Sequence, residues 1–500
     1  MTATMGSHPR PQDRRGPYRI LVSTTACAKD VRRFMGNADY SYAFVLKALA
    51  PVLDQLGSWQ VVEQPESSLS FQAEQARRDG LTPIHLCLHP PHNAYLTPDV
   101  PTIVFPFWEF PNLPDRDMGF DTRQNWKRIL DRADLVVTAC RFTASVFQLE
   151  GVRPPVAVVP VPLSESAFAV PDRAPDGSVE LECRHIVFEG RDDSGDRAAS
   201  APSPAAAESA PSRPAWHRAA AGAYRRGRSF YKQRIMRYLS EEAAEGLFQA
   251  KNRLLGRTQK TLRIVRTPVA PLRLSGLVFT SIFNLGDRRK NIEDMLTSFL
   301  VAFRDRPDAT LVLKLATNPD REYFELRELR ARYHHLNLPH ACRVVVITDY
   351  LSDEDLASLN RATTFYVNTS RAEGACLPLQ ESLAAGRPAV APRHTAMEDY
   401  IDDQVAFVVR SAPEPTFIPH DPKPRYETFW HRLNWQDLHD QLLEAARVAD
   451  RDPDRYRRMA EAGRRRMTRL ASRQAAATAL GEAIALLPES ASRRTLAWSA

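Results

Sequence analysis

Two glutamates with seven residues between them, Glu373 and Glu381, are the side chains whose type and spacing first suggest chemistry. Carboxylates accept hydrogen bonds from hydroxyl groups. Apolar runs at residues 363–368 and 389–391 flank the pair, so that Glu373 follows a predicted strand and Glu381 lies in the first turn of the next helix. Both therefore lie at the carboxyl end of one strand, where open α/β sheets bind ligands.

The helix that carries Glu381 has a sequence signal at each end. Pro378 suits its first turn, where a missing N–H costs nothing, and Gly386 suits its end, where a left-handed residue is favoured. The loop amides of residues 374–377 then lie at the helix N-terminus, which attracts anions. Two carboxylates beside an anion site predict a ligand with a phosphate and several hydroxyls, and a sugar nucleotide is such a molecule.

This stretch resembles a known family. The two glutamates, with Gly374, Leu377, Pro378 and the run Ser-Leu-Ala-Ala-Gly-Arg-Pro-Ala-Val at 382–390, are similar to the Glu-x7-Glu signature of retaining, nucleotide-sugar-dependent glycosyltransferases of family 4. The resemblance implies the two-domain GT-B fold. It departs at Ala375-Cys376, where members usually carry Phe-Gly, and at 393–396, Arg-His-Thr-Ala, where a Gly-Gly pair is expected.

The resemblance also implies roles for residues of the second half. Glu381 would accept hydrogen bonds from the ribose diol, and Glu373 would approach the hydroxyls of the donor sugar. The amides of the loop would support the donor, and they belong to Gly374, Ala375, Cys376 and Leu377. Lys290, at a predicted strand-to-helix turn, would reach the diphosphate. An arginine expected about five residues earlier is missing, and Arg288 or Arg289 would substitute, so we include Arg289 among the donor-binding candidates.

Four further positions complete the predicted site. Tyr350 or Leu351 would border the nucleobase, although Tyr350 suits plain packing equally well. Gly36 lies in the loop after the first strand, which in the resembled family faces the donor phosphates. Glu109 would orient an acceptor hydroxyl or steady positive charge at the anomeric carbon; its structural alternative is a pair with an arginine such as Arg128.

Length and patterning predict more than one domain. Five hundred residues exceed a single core, and alternating strands and helices indicate doubly wound parallel sheets. The first half is predicted to consist of a disordered tail (1–16) and an N-terminal Rossmann-like acceptor domain (17–171). An insertion follows (172–270), disordered over 190–214 and basic and helical over 215–266. The remainder is a C-terminal Rossmann-like nucleotide-sugar domain (271–435), C-terminal helices crossing back to the first domain (436–486) and a tail (487–500).

Charge and cysteine usage limit the possible partners. The net charge is +7, but residues 213–266 carry fourteen Lys or Arg against three Glu, so the rest of the chain has a balance of −4. This segment suggests contact with an anionic membrane surface or an anionic glycan, or equally a solvated helical hairpin without a specific partner. Six scattered cysteines without metal-ligand spacing indicate a reduced compartment and no zinc site.

The combined prediction is a cytoplasmic glycosyltransferase, in peripheral contact with the inner face of the membrane. It would move a hexosyl group from a nucleotide-sugar donor to a glycan or lipid-linked acceptor in polysaccharide biosynthesis, with retention. No cofactor and no metal are expected, since cationic side chains and helix dipoles stabilise the leaving diphosphate in the resembled fold. The alternatives are a non-catalytic GT-B scaffold, nucleic-acid binding through 213–266, and epimerisation or hydrolysis of a sugar nucleotide. Nucleic-acid binding by the protein as a whole is disfavoured because the basic charge is confined to that one segment.

Overall fold

The computed structural model describes residues 18–24, 35, 41–116, 122–172, 177–190, 269–317, 321–419 and 426–487. The predictions for Gly36, for residues 1–16 and 215–266, for almost all of 190–214 and for residues 488–500 lie outside this part of the chain.

The first sheet has six parallel strands in the order β2-β1-β3-β4-β5-β6. These strands are β1 Tyr18–Thr24, β2 Gly57–Val61, β3 Thr82–Leu88, β4 Thr102–Val104, β5 Leu135–Thr138 and β6 Val156–Val158. The helices along this part are α1 Ser41–Leu56, α2 Pro65–Arg78, α3 Trp126–Leu130, α4 Arg141–Leu149 and α5 Glu165–Phe168. Helix α1 buries Val45, Leu49 and Val52 at helical spacing against this sheet.

The second sheet has eight strands in the order β14-β13-β12-β9-β10-β11-β7-β8. These are β7 Val179–Glu189, β8 Val269–Leu274, β9 Leu277–Phe283, β10 Ala309–Leu315, β11 Arg343–Ile347, β12 Phe365–Val367, β13 Ala389–Pro392 and β14 Ala406–Val409. Its helices are α6 Ile292–Ala302, α7 Glu322–Leu336, α8 Asp353–Ala362 and α9 Leu377–Ala384. Six strands run parallel, and every residue of β10 is buried, as expected for a strand covered on both faces.

Strands β7 and β8 extend the second sheet beyond the predicted boundaries. Strand β7 lies within residues 172–270, which the sequence assigned to an insertion, and β8 begins there at Val269, yet the two form an antiparallel edge, with β7 pairing to β11 and β8 to β7. In β7, Val179, Leu181 and Cys183 alternate with glutamates, and all three are buried. This period of two is typical of a strand with one buried face.

The C-terminal elements connect the two halves. A hairpin of β15 Ser411–Phe417 and β16 Glu427–Leu433 is followed by α10 Trp435–Arg451, α11 Pro453–Ala471 and α12 Arg473–Ile484. Helix α10 packs in the core of the second sheet, whereas α12 contributes Ala476, Leu480 and Ile484 to the core of the first. The predicted fold class, two doubly wound parallel sheets of the GT-B type, is confirmed.

Candidate active site

Glu373 lies in the loop before α9, as predicted, whereas Glu381 is the fifth residue of this helix and lies beyond the first turn, where the sequence had placed it, because the helix begins at Leu377. Strand β12 ends at Val367, a loop follows, and α9 begins at Leu377 with Pro378 in its first turn. Gly386 follows the end of the helix with a φ of 70°, a value that glycine adopts without steric strain. The predicted helix start and helix end are therefore confirmed.

The loop amides before α9 point to an anion site. The carbonyl oxygen of Ala375 accepts hydrogen bonds from Gln380 Nε2 at 2.8 Å and from Tyr400 Oη at 2.9 Å. The N–H and C=O of a trans peptide point in opposite directions, so the Cys376 amide faces away from these donors. Within the described ranges, no group accepts a hydrogen bond from the amides of Gly374, Ala375 or Cys376. Such donors at a helix N-terminus bind anions.

Lys290 and Glu373 form a buried ion pair beside these amides. Lys290 Nζ lies 2.5 Å from Glu373 Oε1, and the two side chains are 18% and 6% exposed. Burial alone would raise the pKa of Glu373, but Lys290 and Arg289 outweigh it and hold that pKa below its usual value. Burial would lower the pKa of Lys290, but Glu373 outweighs it and raises that pKa. An ammonium has three N–H donors, so Lys290 can hold Glu373 and a ligand phosphate at the same time.

Arg289 links this pair to the first half of the chain. Its Nη1 lies 2.6 Å from Glu109 Oε1, and its Nη2 lies 2.6 Å from Asp287 Oδ2. It also donates from Nε to Asp287 Oδ1 and from Nη1 to the carbonyl oxygen of Ala372. Four of its five N–H groups thus have partners within the described residues, whereas Arg288 is exposed. Burial would raise the pKa of Asp287, but Arg289 lowers it to about 2.

Glu109 and Gly374 bring the two halves into contact. Glu109 lies shortly after β4 and is buried. A Cβ on Gly374 would lie 3.4 Å from Phe107 Cβ and 3.7 Å from Glu109 Oε2. The loop thus lies directly against the N-terminal half, and the absence of a side chain at Gly374 allows this approach.

Two residues other than glycine adopt the left-handed conformation in the two segments, 375–376 and 393–396, that depart from the resembled family. Cys376 has a φ of 59° and Thr395 a φ of 51°. Such strain costs on the order of 1–3 kcal/mol for a residue other than glycine. Cys376 Sγ accepts a hydrogen bond from Asn368 Nδ2 at 3.0 Å, and Thr395 Oγ1 accepts one from the Glu373 amide at 3.0 Å. The departures from the family pattern therefore keep the backbone shape and add side-chain bonds.

Glu381 lies in a second charge cluster that also joins the two halves. Burial raises its pKa to about 7, Asp353 adds to the shift, and Lys47 opposes it. Lys47 of α1 donates to both carboxylate oxygens of Asp353, at 2.8 and 2.9 Å. Asp353 begins α8, directly after the segment predicted to border the base. There Tyr350 is partly exposed and interacts electrostatically with Lys47, whereas Leu351 is buried in the core of the second sheet.

The remaining predicted position in the loop has a packing role in the structure. Leu377 is partly buried and packs against hydrophobic clusters of both halves. The contact fixes the first turn of α9 against the first sheet. Leu377 thus contributes to the placement of the free amides before it.

Sequence reasoning missed four residues that the structure places at these clusters. Lys47 and Asp353 lie 306 positions apart, so no local pattern could pair them. Asp287 stands two residues before Arg289, and this spacing alone was a usable signal for a local ion pair. Thr395 was noted only as part of a segment that departs from the family pattern. A residue other than glycine in a segment where glycine is expected indicates that its side chain has a structural or functional role.

Among the described residues, no helix is both long and apolar enough to span a membrane. The same part of the chain contains no group of three or more His, Cys, Asp or Glu side chains arranged to hold a metal ion.

One protein-family model matches part of the chain. Residues 276–417 match the model of the family "Glycosyl transferases group 1". A sequence comparison with curated proteins gives no match.

Several solved structures are similar to the chain at low identity. Sucrose-phosphate synthase from Thermosynechococcus elongatus shares 13% identity with a TM-score of 0.49, over 94% of this chain and 99% of that chain. Anabaena HepE in complex with UDP and glucose shares 11% identity with a TM-score of 0.45, over 94% and 99%. A glycosyltransferase from Rickettsia africae ESF-5 shares 10% identity with a TM-score of 0.47, over 95% and 99%. The matched region 276–417 contains Lys290, Glu373 and Glu381, and with them the free amides before α9, whereas Glu109 and Lys47 lie outside it.

Proposed function

We propose that this protein is a retaining glycosyltransferase of family 4 that moves a hexosyl group from a nucleotide sugar to a hydroxyl acceptor without a metal ion. The observation that carries the proposal is the buried Lys290–Glu373 pair, 2.5 Å apart, beside the unpaired amides that precede α9. A cation and a helix N-terminus at one point suit a diphosphate, and a carboxylate next to them suits sugar hydroxyls. The match of residues 276–417 to the glycosyltransferase group 1 family supports the same assignment.

In this proposal the donor lies along the carboxyl edge of the second sheet. Glu381 accepts hydrogen bonds from the ribose diol, and Lys290 with the free amides holds the diphosphate. Glu373 binds hydroxyls of the donor sugar. Positive charge from Lys290 and the helix N-terminus stabilises the departing diphosphate, so that no metal is needed for this step.

Glu109 faces the same point from the first half of the chain. Arg289 fixes its carboxylate at 2.6 Å, close to Gly374. From there Glu109 orients the acceptor hydroxyl and offsets positive charge at the anomeric carbon. The acceptor oxygen bonds to that carbon on the face that the diphosphate leaves, the bond to the diphosphate oxygen breaks, and the hydroxyl proton passes to the departing oxygen. The configuration at the anomeric carbon is thereby retained.

The acceptor in this proposal is a glycan or a lipid-linked glycan. The excess of basic residues in 213–266 supports contact with an anionic membrane surface at the cytoplasmic face. Co-sedimentation of the full chain with vesicles that contain anionic lipid, compared with neutral vesicles, tests this part of the proposal. Equal binding to both vesicle types would contradict it.

Ligand-induced thermal stabilisation tests the donor site. UDP-, GDP- and ADP-sugars are added separately, and a ligand that binds the native state raises the melting temperature. Lys290→Ala and Glu381→Ala should abolish the increase, whereas Glu482→Ala, an exposed position on α12, should retain it. The absence of stabilisation by every sugar nucleotide would refute the proposal. Turnover that is unchanged by EDTA and an NMR spectrum showing a retained anomeric configuration test the finer claims.

A non-catalytic nucleotide-sugar-binding protein is the second candidate. The observation that favours it is the charge of the site, where Glu109, Asp287 and Glu373 form ion pairs with Arg289 and Lys290. Three carboxylates against two cations leave a net charge of −1, which opposes the additional negative charge that a diphosphate gains when it departs from the sugar. Product analysis with and without acceptor separates the two functions, because a binding protein stabilised by a sugar nucleotide would release no nucleoside diphosphate from it.

A further inference from the structure

Thr395 holds a backbone conformation that its side-chain type disfavours. It lies at the start of a single 3₁₀ turn, Thr395–Asp399, has a φ of 51° and is 2% exposed. A β-branched residue with positive φ is a steric outlier. Glycine would adopt this φ freely, so the threonine side chain must contribute something that glycine lacks.

The Thr395 side chain binds the backbone of Glu373. The Glu373 amide donates to Thr395 Oγ1 at 3.0 Å, and the Ala396 amide donates to the Glu373 carbonyl oxygen at 3.2 Å. Both backbone groups of Glu373 are thus held by one short segment. Its carboxylate is held at the other end by Lys290. The position of Glu373 is therefore fixed by bonds to its backbone and to its side chain.

The hydroxyl of Thr395 has a second hydrogen-bond partner, the ring of His394. His394 Nδ1 lies 3.3 Å from Thr395 Oγ1. Burial, with a smaller contribution from the stacked ring of His431, keeps the pKa of His394 well below its usual value, so the ring is neutral. The two rings lie 4.2 Å apart at 9°. Oγ1 therefore lies between the Glu373 amide and the His394 ring, and these two contacts order the hydroxyl.

We propose that Thr395 is a positioning residue for Glu373, and that its left-handed backbone is retained because this conformation aims the hydroxyl at the Glu373 amide. The inference rests on the proposed function of Glu373 as the group that binds the donor sugar. Thr395 touches no substrate in this account. It sets the position of the carboxylate against Lys290 and the free amides of the loop.

Comparing Thr395→Gly with Thr395→Ser distinguishes the contribution of the hydroxyl from that of the backbone conformation. Glycine accepts the left-handed φ, so the melting temperature should stay the same or increase, while the Glu373 amide loses its acceptor. The turnover number for the sugar nucleotide that stabilises the wild type should fall by about 10- to 100-fold, since a small misplacement of a reacting group has effects of this size. The affinity for the corresponding nucleoside diphosphate, which lacks the sugar, should be unchanged. Serine keeps the hydroxyl and should restore most of the turnover.

Hydrogen exchange at the Glu373 amide tests the bond without any substrate. The amide should exchange slowly in the wild type and in Thr395→Ser, and faster in Thr395→Gly. Equal protection in all three proteins would overturn the inference, as would full turnover in Thr395→Gly or equal loss in the serine variant. Failure of the wild type to release nucleoside diphosphate would instead count against the proposed function, and the exchange measurement would still decide the role of Thr395.

Discussion

Glu381→Gln should stabilise the free protein at pH 8 and change its stability little at pH 5. Burial raises the pKa of Glu381 from 4.5 to about 7. In the unfolded chain this carboxyl titrates near its ordinary value. Above pH 7 the folded protein must hold an ionised carboxylate in a desolvated position, which opposes folding. Below pH 4.5 the carboxyl is neutral in both states, so the penalty disappears.

The size of this penalty follows from the two pKa values. The difference between about 7 and 4.5, at about 1.4 kcal/mol for each pKa unit, corresponds to about 3 kcal/mol at pH 8. At pH 5 less than about 1 kcal/mol remains, because the folded carboxyl is then almost fully protonated. The glutamine side chain has nearly the same shape and no charge, so the variant should remove most of the difference.

Chemical unfolding at pH 5, 6.5 and 8 measures the effect. The free energy of unfolding of Glu381→Gln should exceed that of the wild type by about 2–3 kcal/mol more at pH 8 than at pH 5. Glu482→Gln, an exposed carboxyl on α12, is the matched control and should show no such dependence. An equal effect of Glu381→Gln at all three pH values would refute the reasoning, since it would show that Glu381 does not titrate in this range.

Three further outcomes follow from the contacts of the site. Nucleotide affinity of the wild type, measured by calorimetry, should fall about tenfold from pH 8 to pH 6, because in the proposed function only the ionised form of Glu381 presents two acceptor oxygens to the ribose. An affinity that does not change with pH would contradict this. Lys290→Met should lower the free energy of unfolding, measured by chemical unfolding, by about 3–5 kcal/mol at pH 8 and by less at pH 5, where Glu373 can bind a proton. Adding Glu373→Gln to this variant should restore most of the lost stability. Tyr426→Phe should cost about 1–2 kcal/mol of stability, since the hydroxyl accepts a hydrogen bond from the Arg116 amide and donates one to the Arg116 carbonyl oxygen. Nucleotide affinity measured by calorimetry should stay unchanged. Loss of affinity would show that the hairpin reaches the donor site.

Local patterns were sufficient for most of the fold. The strands of both parallel sheets are short apolar runs, and such runs read directly as buried strands. The hairpin was missed because Pro413 and Pro415 interrupt β15, and proline within a run argues against a strand. They are tolerated here because β15 is an edge strand that pairs only with β16. Strand β7 was missed because it precedes the low-complexity and basic stretches of 190–266, and the whole of 172–270 was assigned with them to an insertion.

Some residues of the candidate site could likewise be proposed from local patterns, and others could not. Glu373, Glu381 and Lys290 could be proposed from the sequence because each lies near the start of a helix or in the loop before it, where position along the chain predicts position in space. The pairs Glu109–Arg289 and Lys47–Asp353 were not found, because their partners come from different sheets. Only the packing of one half against the other brings them together.

The charge pairs between the halves differ in what their separation would cost. Lys47 and Asp353 are both substantially exposed, so breaking this pair changes stability by about 1 kcal/mol or less. Arg289 and Glu109 are 12% and 9% exposed, and separating them would leave Glu109 buried without its ion-pair partner unless water followed. Separating the halves at the Glu381 end therefore costs little free energy, while separating them beside Glu373 costs more. In the proposed function, a donor that enters at the Glu381 end and displaces Lys47 from Asp353 needs only the first of these steps, which leaves Glu109 in place against Gly374 for the chemical step.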